Sequence, residues 1–328
     1  MAFDKDAVVT SLGRCLNASK LPEAPPPDLP PWSPRETIQT PNDLLAGFVA
    51  ILKEQAELVI FDDRMQQIAH SATRVNLEQL ARWLIARAAR VGPEGAVDDL
   101  QRYVSTDKYA VEETCLLAGV NIAESIEVAD GIFLIPFARL PDSAHKEMFT
   151  PAMWSYKPDH PTAALTCNNA YPKHHADGML NIITRQDEIA DIRLVLTLIG
   201  PGCPVVVASW SRALDWVPLS GRAIGWSSPF DAGQARGVVD LSAADTEKLR
   251  ALYALFKNLP NGEQKHLRVP LDRLNRASRW SDLTTSAIEL GIALEALLLN
   301  DLEDDRGELS LRLRLRGARR SNGTGRRA

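Results

Sequence analysis

The segment that most constrains the fold covers residues 282–300, with the sequence DLTTSAIELGIALEALLLN. After its first residue, its Ile and Leu side chains are interrupted by only two charged residues, Glu289 and Glu295, and by small residues. This pattern predicts a helix that is apolar around most of its circumference, and such a helix has to be covered. The segment is too short and too acidic to cross a bilayer, which requires about 18–20 nearly uncharged residues, so we expect the covering to be protein.

The length of the chain indicates more than one domain. At 328 residues it exceeds the usual domain size of about 100–200 residues, and 45 % hydrophobic with 24 % charged residues is ordinary for a globular protein. The stretch PEAPPPDLPPWSP at residues 22–34 is too rich in proline for a helix or a sheet ladder. We predict an α+β fold with three parts, which are a Pro-rich flexible segment at residues 1–40, a mixed domain with a small sheet at residues 41–240, and a partial helical bundle with a basic, disordered tail at residues 241–328.

Local patterns place several elements within these parts. Asn76-Leu-Glu-Gln79 and Ser242-Ala-Ala-Asp245 each resemble a capping box at the start of a helix. Residues 192–198 alternate between apolar and other side chains, and the apolar run PVVVASW follows at residues 204–210. We therefore predict a hairpin or a pair of neighbouring strands there.

Three tryptophans, Trp210, Trp216 and Trp226, recur in the stretch that follows. Trp side chains can form an aromatic platform that stacks on bases or sugars, but they more often pack in a core or at its rim. Both interpretations are open at the level of sequence.

The formal charge of −5 conceals an acidic body and a basic end. Residues 306–328 contain eight Arg against one acid, Glu308, which gives +7 there and leaves −12 for the remainder. A basic end of this kind is typical either of contact with nucleic acid, because Arg releases counterions from phosphate, or of a solvated, disordered terminus.

Motifs for cofactors and metals are missing from the sequence. The glycines near residues 92–95 and 200–202 occur in neither a P-loop nor a GxGxxG frame, so we predict no nucleotide cofactor. Cys167, His174 and His175 match no closed zinc motif, and we predict no metal site. Four widely spaced cysteines and the lack of a secretory signal predict reduced thiols in a cytoplasmic protein that does not enter a membrane.

Three consecutive pieces of the C-terminal region resemble the start of an Apea-like HEPN domain. The pieces are RLNRAS at residues 273–278, DLTTSAIELGIALEALLLND at residues 282–301, and GELSLRLRLRGAR at residues 307–319. In that family an apolar helix with the pattern D-x-x-x-x-[LI]-x-[IL]-[AG]-L-E-x-L precedes an acidic turn and a helix with the pattern E-L-S-x-R-L-x-L-R-x-A. The resemblance spans residues 273–319, and its structural motif residues are Asp282, Glu295 and Glu308.

The resemblance implies a helical bundle related to the RNA-targeting ribonucleases of prokaryotic defence and toxin systems, including phage defence. RNA and a second copy bound through the C-terminal helices are the partners it implies, with Arg312, Arg316 and Arg319 as candidate RNA-binding residues. Catalytic relatives are metal-independent and use an R-x(4–6)-H motif, in which Arg binds phosphate and His transfers the proton.

In this sequence no histidine follows His266, so we assign no catalytic residue. We expect an inactive copy, truncated or frame-disrupted after about residue 318. The alternatives are a non-enzymatic interaction or scaffold protein that acts through the helical C-terminal region, and an unrelated enzyme housed in residues 41–240.

Overall fold

The computed structural model describes residues 3–20, 38–58, 61, 65–68, 71–74, 76–141, 146, 149, 160–173, 185–200, 202–214, 216–218, 226–227, 235, 237–279 and 282–299. These residues form seven α-helices, α1 (Lys5–Ala18), α2 (Asn42–Glu54), α3 (Leu77–Ser105), α4 (Gln186–Leu196), α5 (Ala243–Lys257), α6 (Asn261–Ala277) and α7 (Leu283–Leu299). The strands are β1 (Met65–Ile68), β2 (Ser71–Arg74), β3 (Lys108–Ala118), β4 (Val120–Asn121), β5 (Ile126–Ala129), β6 (Ile132–Pro136), β7 (Ala163–Pro172), β8 (Val205–Ala213), β9 (Trp226–Ser227) and β10 (Val239–Asp240). Short 3₁₀ turns lie at Ala56–Leu58 and Phe137–Arg139.

The main sheet has six antiparallel strands in the order β5, β6, β7, β3, β8, β9. Strand β3 lies at its centre and pairs with β7 from Lys108↔Pro172 to Leu117↔Ala163, while β8 pairs on the other edge with a bulge between Leu116 and Leu117. Two smaller pairs accompany it, β1 with β2 and β10 parallel to β4. The predicted α+β class is confirmed.

Helices cover one face of this sheet in two groups. Tyr109 and Val111 of β3 point into a core formed with α1, α2 and α3. Cys115 and Leu117, farther along the same strand and on the same face, pack into a second core with α4 and α5. The alternate residues Leu116 and Ala118 pack on the opposite face, so the end of β3 is buried on both sides.

The two capping boxes form as the sequence predicts. The Asn76 side chain accepts from the Gln79 N–H at the start of α3, and the Ser242 side chain accepts from the Asp245 N–H at the start of α5, with the reciprocal bond present in both cases. Each box satisfies backbone donors that the helix cannot satisfy by itself. Helix α3 is also interrupted where Gly92 has φ +79°, directly before Pro93.

The predicted strand at residues 192–198 is wrong, because these residues lie in α4 and the turn after it. The apolar side chains there also satisfy a helical spacing, and Ile189, Ile192 and Val195 all point into the core with α5. Two acidic residues in the first turn of α4 favour the helix further, because negative charge is stabilising at a helix N-terminus. The other half of the prediction is confirmed by β8.

The predicted flexible segment at residues 1–40 is wrong for its first part. Residues 5–18 form α1, which Asp4 caps, and Val8, Leu12 and Cys15 are buried against α2 and α3. The spacing of these apolar residues is helical, and their burial outweighs the influence of the proline stretch that follows in sequence. That stretch, at residues 22–34, lies outside the described residues.

The predicted boundary near residue 240 is bridged by both apolar and ionic contacts. Leu267 and Leu271 of α6 pack at the margin of the core shared by α4, α5 and the sheet. Arg268 of α6 donates to both carboxylate oxygens of Asp191 in α4, at 2.7 and 2.9 Å, and Asp191 is buried. The division into parts at residues 41–240 and 241–328 stays a prediction.

Crossing a bilayer requires a long and strongly apolar helix. Across the ranges given above, no helix combines the necessary length and apolarity.

The positive φ of Gly119 requires a glycine, so a substitution there should destabilise the fold. This residue joins β3 to β4 with φ +79°, and a Cβ added there would lie 2.5 Å from the carbonyl oxygen of Cys203. Gly119→Ala should lower the free energy of unfolding by about 1–3 kcal/mol for the unfavourable backbone conformation alone, measured as a lower urea midpoint.

Gly47→Ala is the matched control for this substitution. Gly47 is exposed within α2, and a Cβ there meets nothing within 4 Å. The control should gain about 0.5–1 kcal/mol, since Ala is the better helix former. Equal urea midpoints for the two variants would contradict the geometry described at Gly119.

Candidate functional site

Helix α7 begins at a well-formed cap. The N–H and hydroxyl of Thr285 donate to Oδ2 of Asp282 at 2.8 and 2.7 Å, and the N–H of Thr284 approaches Oδ1 at 3.3 Å. The side-chain hydrogen bond from Thr285, followed by the two backbone bonds, lowers the pKa of the Asp282 carboxyl. The cap fixes where the helix starts and gives this motif residue a structural role.

One side of α7 packs along α6. Arg273 of α6 donates to both carboxylate oxygens of Glu289 at 3.2 and 2.9 Å, and the Glu289 side chain is largely shielded by this contact. Ala293, one turn farther on, is 6 % exposed and is the only buried residue among those of α7 whose exposure is described. The side of α7 that meets α6 is therefore made of small and polar residues rather than leucines.

The large apolar side chains of α7 face away from this contact. Leu283 is 82 % exposed, Ile288 is 57 % exposed and Leu294 is 47 % exposed. The full set of exposed large apolar residues on α7 is Leu283, Ile288, Leu290, Ile292, Leu294 and Leu297. The expected covering of this helix is thus present on one side only within the described residues, and a run of exposed apolar groups of this size marks an interface.

Five of the exposed residues form a continuous line, which we call the α7 seam. The α7 seam consists of Leu283, Ala287, Leu290, Leu294 and Leu297, and all five are exposed. Their spacing alternates between four and three residues, which is the repeat with which one α-helix packs against another in a coiled coil or bundle. The α7 seam is therefore suited to a helical partner.

The residues that flank the α7 seam carry no charge. They are Thr284, Ser286, Gly291, Ala293 and Leu298. In helical pairs these flanking positions usually hold charges that select or reject partners. Uncharged flanks place no like charges opposite each other when two identical helices meet.

The residues predicted from the HEPN resemblance are only partly described. Asp282 caps α7, and Glu295 lies on α7 with its side chain exposed. Glu308 and the three candidate RNA-binding residues Arg312, Arg316 and Arg319 lie outside the described residues. The structure therefore places Asp282 and Glu295 at the same helix. Apart from the cap formed by Asp282, the roles that the resemblance implies for these six residues stay predictions.

Other candidates from the sequence lie in the core. Trp210 is buried and stacks on Phe149 at a centroid distance of 6.1 Å, so its ring is not available as a platform. Trp216 is half-buried with the Arg102 guanidinium 4.1 Å from its ring, and the side chain of Trp226 lies outside the described residues. These contacts favour the packing interpretation for the first two tryptophans.

The candidate metal ligands form no metal site among the described residues. Cys167 is buried in β7, and burial raises the pKa of its thiol to about 12, while His174 and His175 lie outside the described residues. The described residues contain no group of three or more His, Cys, Asp or Glu side chains arranged to hold a metal ion.

The α7 seam was missed by sequence reasoning although its spacing is visible in the sequence. Almost every side of this helix is apolar, so the pattern by itself does not single out one line of residues. The position of α6 is what separates the covered side from the seam.

Comparison with known proteins adds no family. No family model, no curated protein and no solved structure matches this chain. The resemblance to HEPN domains therefore rests only on the three sequence pieces given above.

The cap of α7 can be tested by hydrogen exchange. Asp282→Ala should reduce the protection of amides in the first turns of α7 by about fivefold, because the helix loses the acceptor for its first N–H groups. Asp282→Asn is the control, since Asn caps about as well as Asp and should retain most of the protection.

The pH dependence of the same protection follows from the lowered pKa of Asp282. In the native chain the contribution of the cap is complete above the ordinary carboxyl pKa of about 3.9 and is lost as the pH falls through the lower folded value. Asp282→Asn should not show this loss. Equal protection in all three proteins at neutral pH would refute the role of Asp282.

Proposed function

We propose that this protein is an interaction protein that associates with a second copy of itself through the α7 seam. The observation that carries the proposal is the exposed line of four leucines and Ala287 with alternating four- and three-residue spacing, which the contact of α6 with another side of α7 leaves uncovered. Association would place the α6–α7 pairs of the two copies side by side as a four-helix arrangement.

A second copy fits the chemistry of the α7 seam better than a charged or extended partner. The seam has no charge along its line or at its flanks, so it offers nothing to an acidic or basic peptide. The same seam is present on every copy, so an isologous contact is self-complementary by construction. Bringing a half-exposed leucine to full burial contributes about 1 kcal/mol, and such a contact would bury leucines from both copies.

Residues 300–328 are the alternative occupant within the chain itself. Four leucines occur there at residues 309, 311, 313 and 315. The residues between them are Ser310, Arg312 and Arg314. That spacing is two rather than alternately three and four, so the leucines would not form a matching line on one face. The pattern favours a second copy over this segment.

The association is tested by two substitutions within the α7 seam. Leu290→Glu combined with Leu294→Glu should convert the protein from dimer to monomer in size-exclusion chromatography with light scattering, because charges would be buried without partners at the contact. Both side chains are exposed in the single chain, at 43 % and 47 %, so the helical circular dichroism should be unchanged.

Two further chains complete this experiment. Leu255→Glu is the matched control, since Leu255 is 65 % exposed on α5, outside the α7 seam, and should leave the dimer intact. A chain ending at residue 299 should also remain a dimer. A native protein that is monomeric at micromolar concentration, and that associates only when residues 300–328 are removed, would assign the α7 seam to those residues and overturn the proposal.

A second proposal is that the protein is related to HEPN RNA-targeting proteins and binds RNA without cleaving it. It is supported by α6, which runs through the first piece of the resemblance as far as Ala277, and by α7, which covers residues Leu283–Leu299 of the second piece. The candidate RNA-binding residues are Arg312, Arg316 and Arg319, and no residue is proposed for catalysis.

RNA retention in gel-shift assays tests this second proposal. Replacing Arg312, Arg316 and Arg319 by Gln should weaken retention and make it less sensitive to salt, because three phosphate-neutralising charges are removed. Replacing the same residues by Lys is the control and should preserve most of the retention, since the charge is kept. Cleavage of the RNA by the native chain, or unchanged retention in the Gln variant, would contradict the proposal.

A further inference from the structure

A cluster of arginines surrounds the buried side chain of Asn275, away from the α7 seam. Asn275 lies on α6 and is 0 % exposed. Its Nδ2 group donates to Thr197 Oγ1 at 3.0 Å and to the Pro204 carbonyl at 3.1 Å, which ties α6 to the connection between α4 and β8. The two donors of the amide are thereby used, and its oxygen is directed toward the arginines.

Two guanidinium groups meet at that amide oxygen. Arg279, just after α6, donates to Asn275 Oδ1 through Nε at 2.8 Å and also through Nη2, and Arg193 of α4 approaches the same oxygen with Nη1 at 3.5 Å. The oxygen is neutral, so it orients the two cations without compensating their charge. Both side chains are only partly exposed, and burial followed by the nearby Arg193 charge lowers the pKa of Arg279.

The surrounding groups leave this cluster with an excess of positive charge. Arg276 contacts Asp272 at 2.9 Å, and Arg193 reaches the other oxygen of Asp272 at 3.4 Å. Three guanidinium groups therefore share one carboxylate among the described residues. Asp191 is already engaged by Nε and Nη2 of Arg268.

Neighbouring groups do not remove this excess. Cys115, which lies within electrostatic range of Arg193, stays protonated because burial raises its pKa to about 12. The C-terminal ends of α4 and α6 each contribute about half a negative charge, and those partial charges are diffuse. Positive charge held in a partly buried position without a matching anion is costly, and an added anion would relieve that cost.

We propose that Arg193 and Arg279, oriented by Asn275, form a binding site for a phosphate group. The guanidinium is a planar fork that matches phosphate oxygens, and in the described structure Nη1 of Arg279 and Nε of Arg193 make no hydrogen bond. Arg193, Arg276 and Arg279 together with Asp272 carry a net charge of +2, which matches a dianion, so the ligand is inorganic phosphate or a phosphate monoester such as a mononucleotide. The site involves no residue of the α7 seam and does not depend on association of two copies.

The site is tested on the full chain with inorganic phosphate and adenosine 5′-monophosphate at constant ionic strength and pH. Both melting temperature and isothermal titration calorimetry are measured, since a ligand that binds only the folded state raises Tm in a saturable manner. Saturable binding of phosphate alone assigns free phosphate as the ligand. Binding of the monophosphate that is tenfold tighter or more assigns a phosphate monoester.

Variants at Arg279 identify the site. Arg279→Gln should weaken phosphate binding by about tenfold to a hundredfold, which is the usual effect of losing a charge-assisted hydrogen bond. Arg279→Lys keeps the charge without the fork and should fall between the native protein and Arg279→Gln. Because each variant is compared with itself with and without phosphate, a general loss of stability does not obscure the result.

Two controls separate this site from general salt effects and from the α7 seam. Arg82→Gln removes one exposed arginine that pairs with Glu78 on α3, and it should leave phosphate binding unchanged. The variant Leu290→Glu with Leu294→Glu should also bind phosphate normally. No saturable binding to the native protein, or equal binding by the native protein and Arg279→Gln, would overturn the proposal.

Discussion

The structure depends on strand β3 being paired on both edges and covered on both faces. Its neighbours β7 and β8 satisfy its backbone groups, and its alternate side chains then require apolar cover above and below. Helices that precede and follow β3 in the sequence supply that cover on one face, with α1 to α3 over Tyr109 and Val111 and α4 with α5 over Cys115 and Leu117. Elements that are far apart in sequence are therefore brought together by a single strand.

The position of the C-terminal helices depends on polar contacts that are buried where α6 meets the body. A buried carboxylate or amide without partners would cost several kcal/mol, so the pair of Asp191 with Arg268 and the bonds of Asn275 restrict how α6 can sit. Arg273 then holds Glu289 and sets the rotation of α7 about its axis. The exposed α7 seam is thus a consequence of contacts made on the opposite side of the helix pair.

Sequence reasoning was reliable where a local interaction determines the structure. The capping boxes at Asn76 and Ser242 are satisfied by residues three positions away, and they form as predicted. It failed at residues 192–198, where apolar side chains suit both a strand and a helix and the core with α5 selects the helix. It also failed at residues 5–18, because the proline stretch nearby says nothing about burial of Val8 and Leu12.

The amino-acid sequence alone predicts a nearly uncharged helix at residues 283–299, since apolar composition is a local property. Which side of that helix is covered depends on the packing of α6, because the hydrophobic effect has no direction and nearly every side of the helix is apolar enough to be buried. The same holds for Arg193 and Arg279, which are separated by many residues along the chain and meet at one amide oxygen. Contacts between distant segments are set by packing of the whole fold, and no local pattern encodes them.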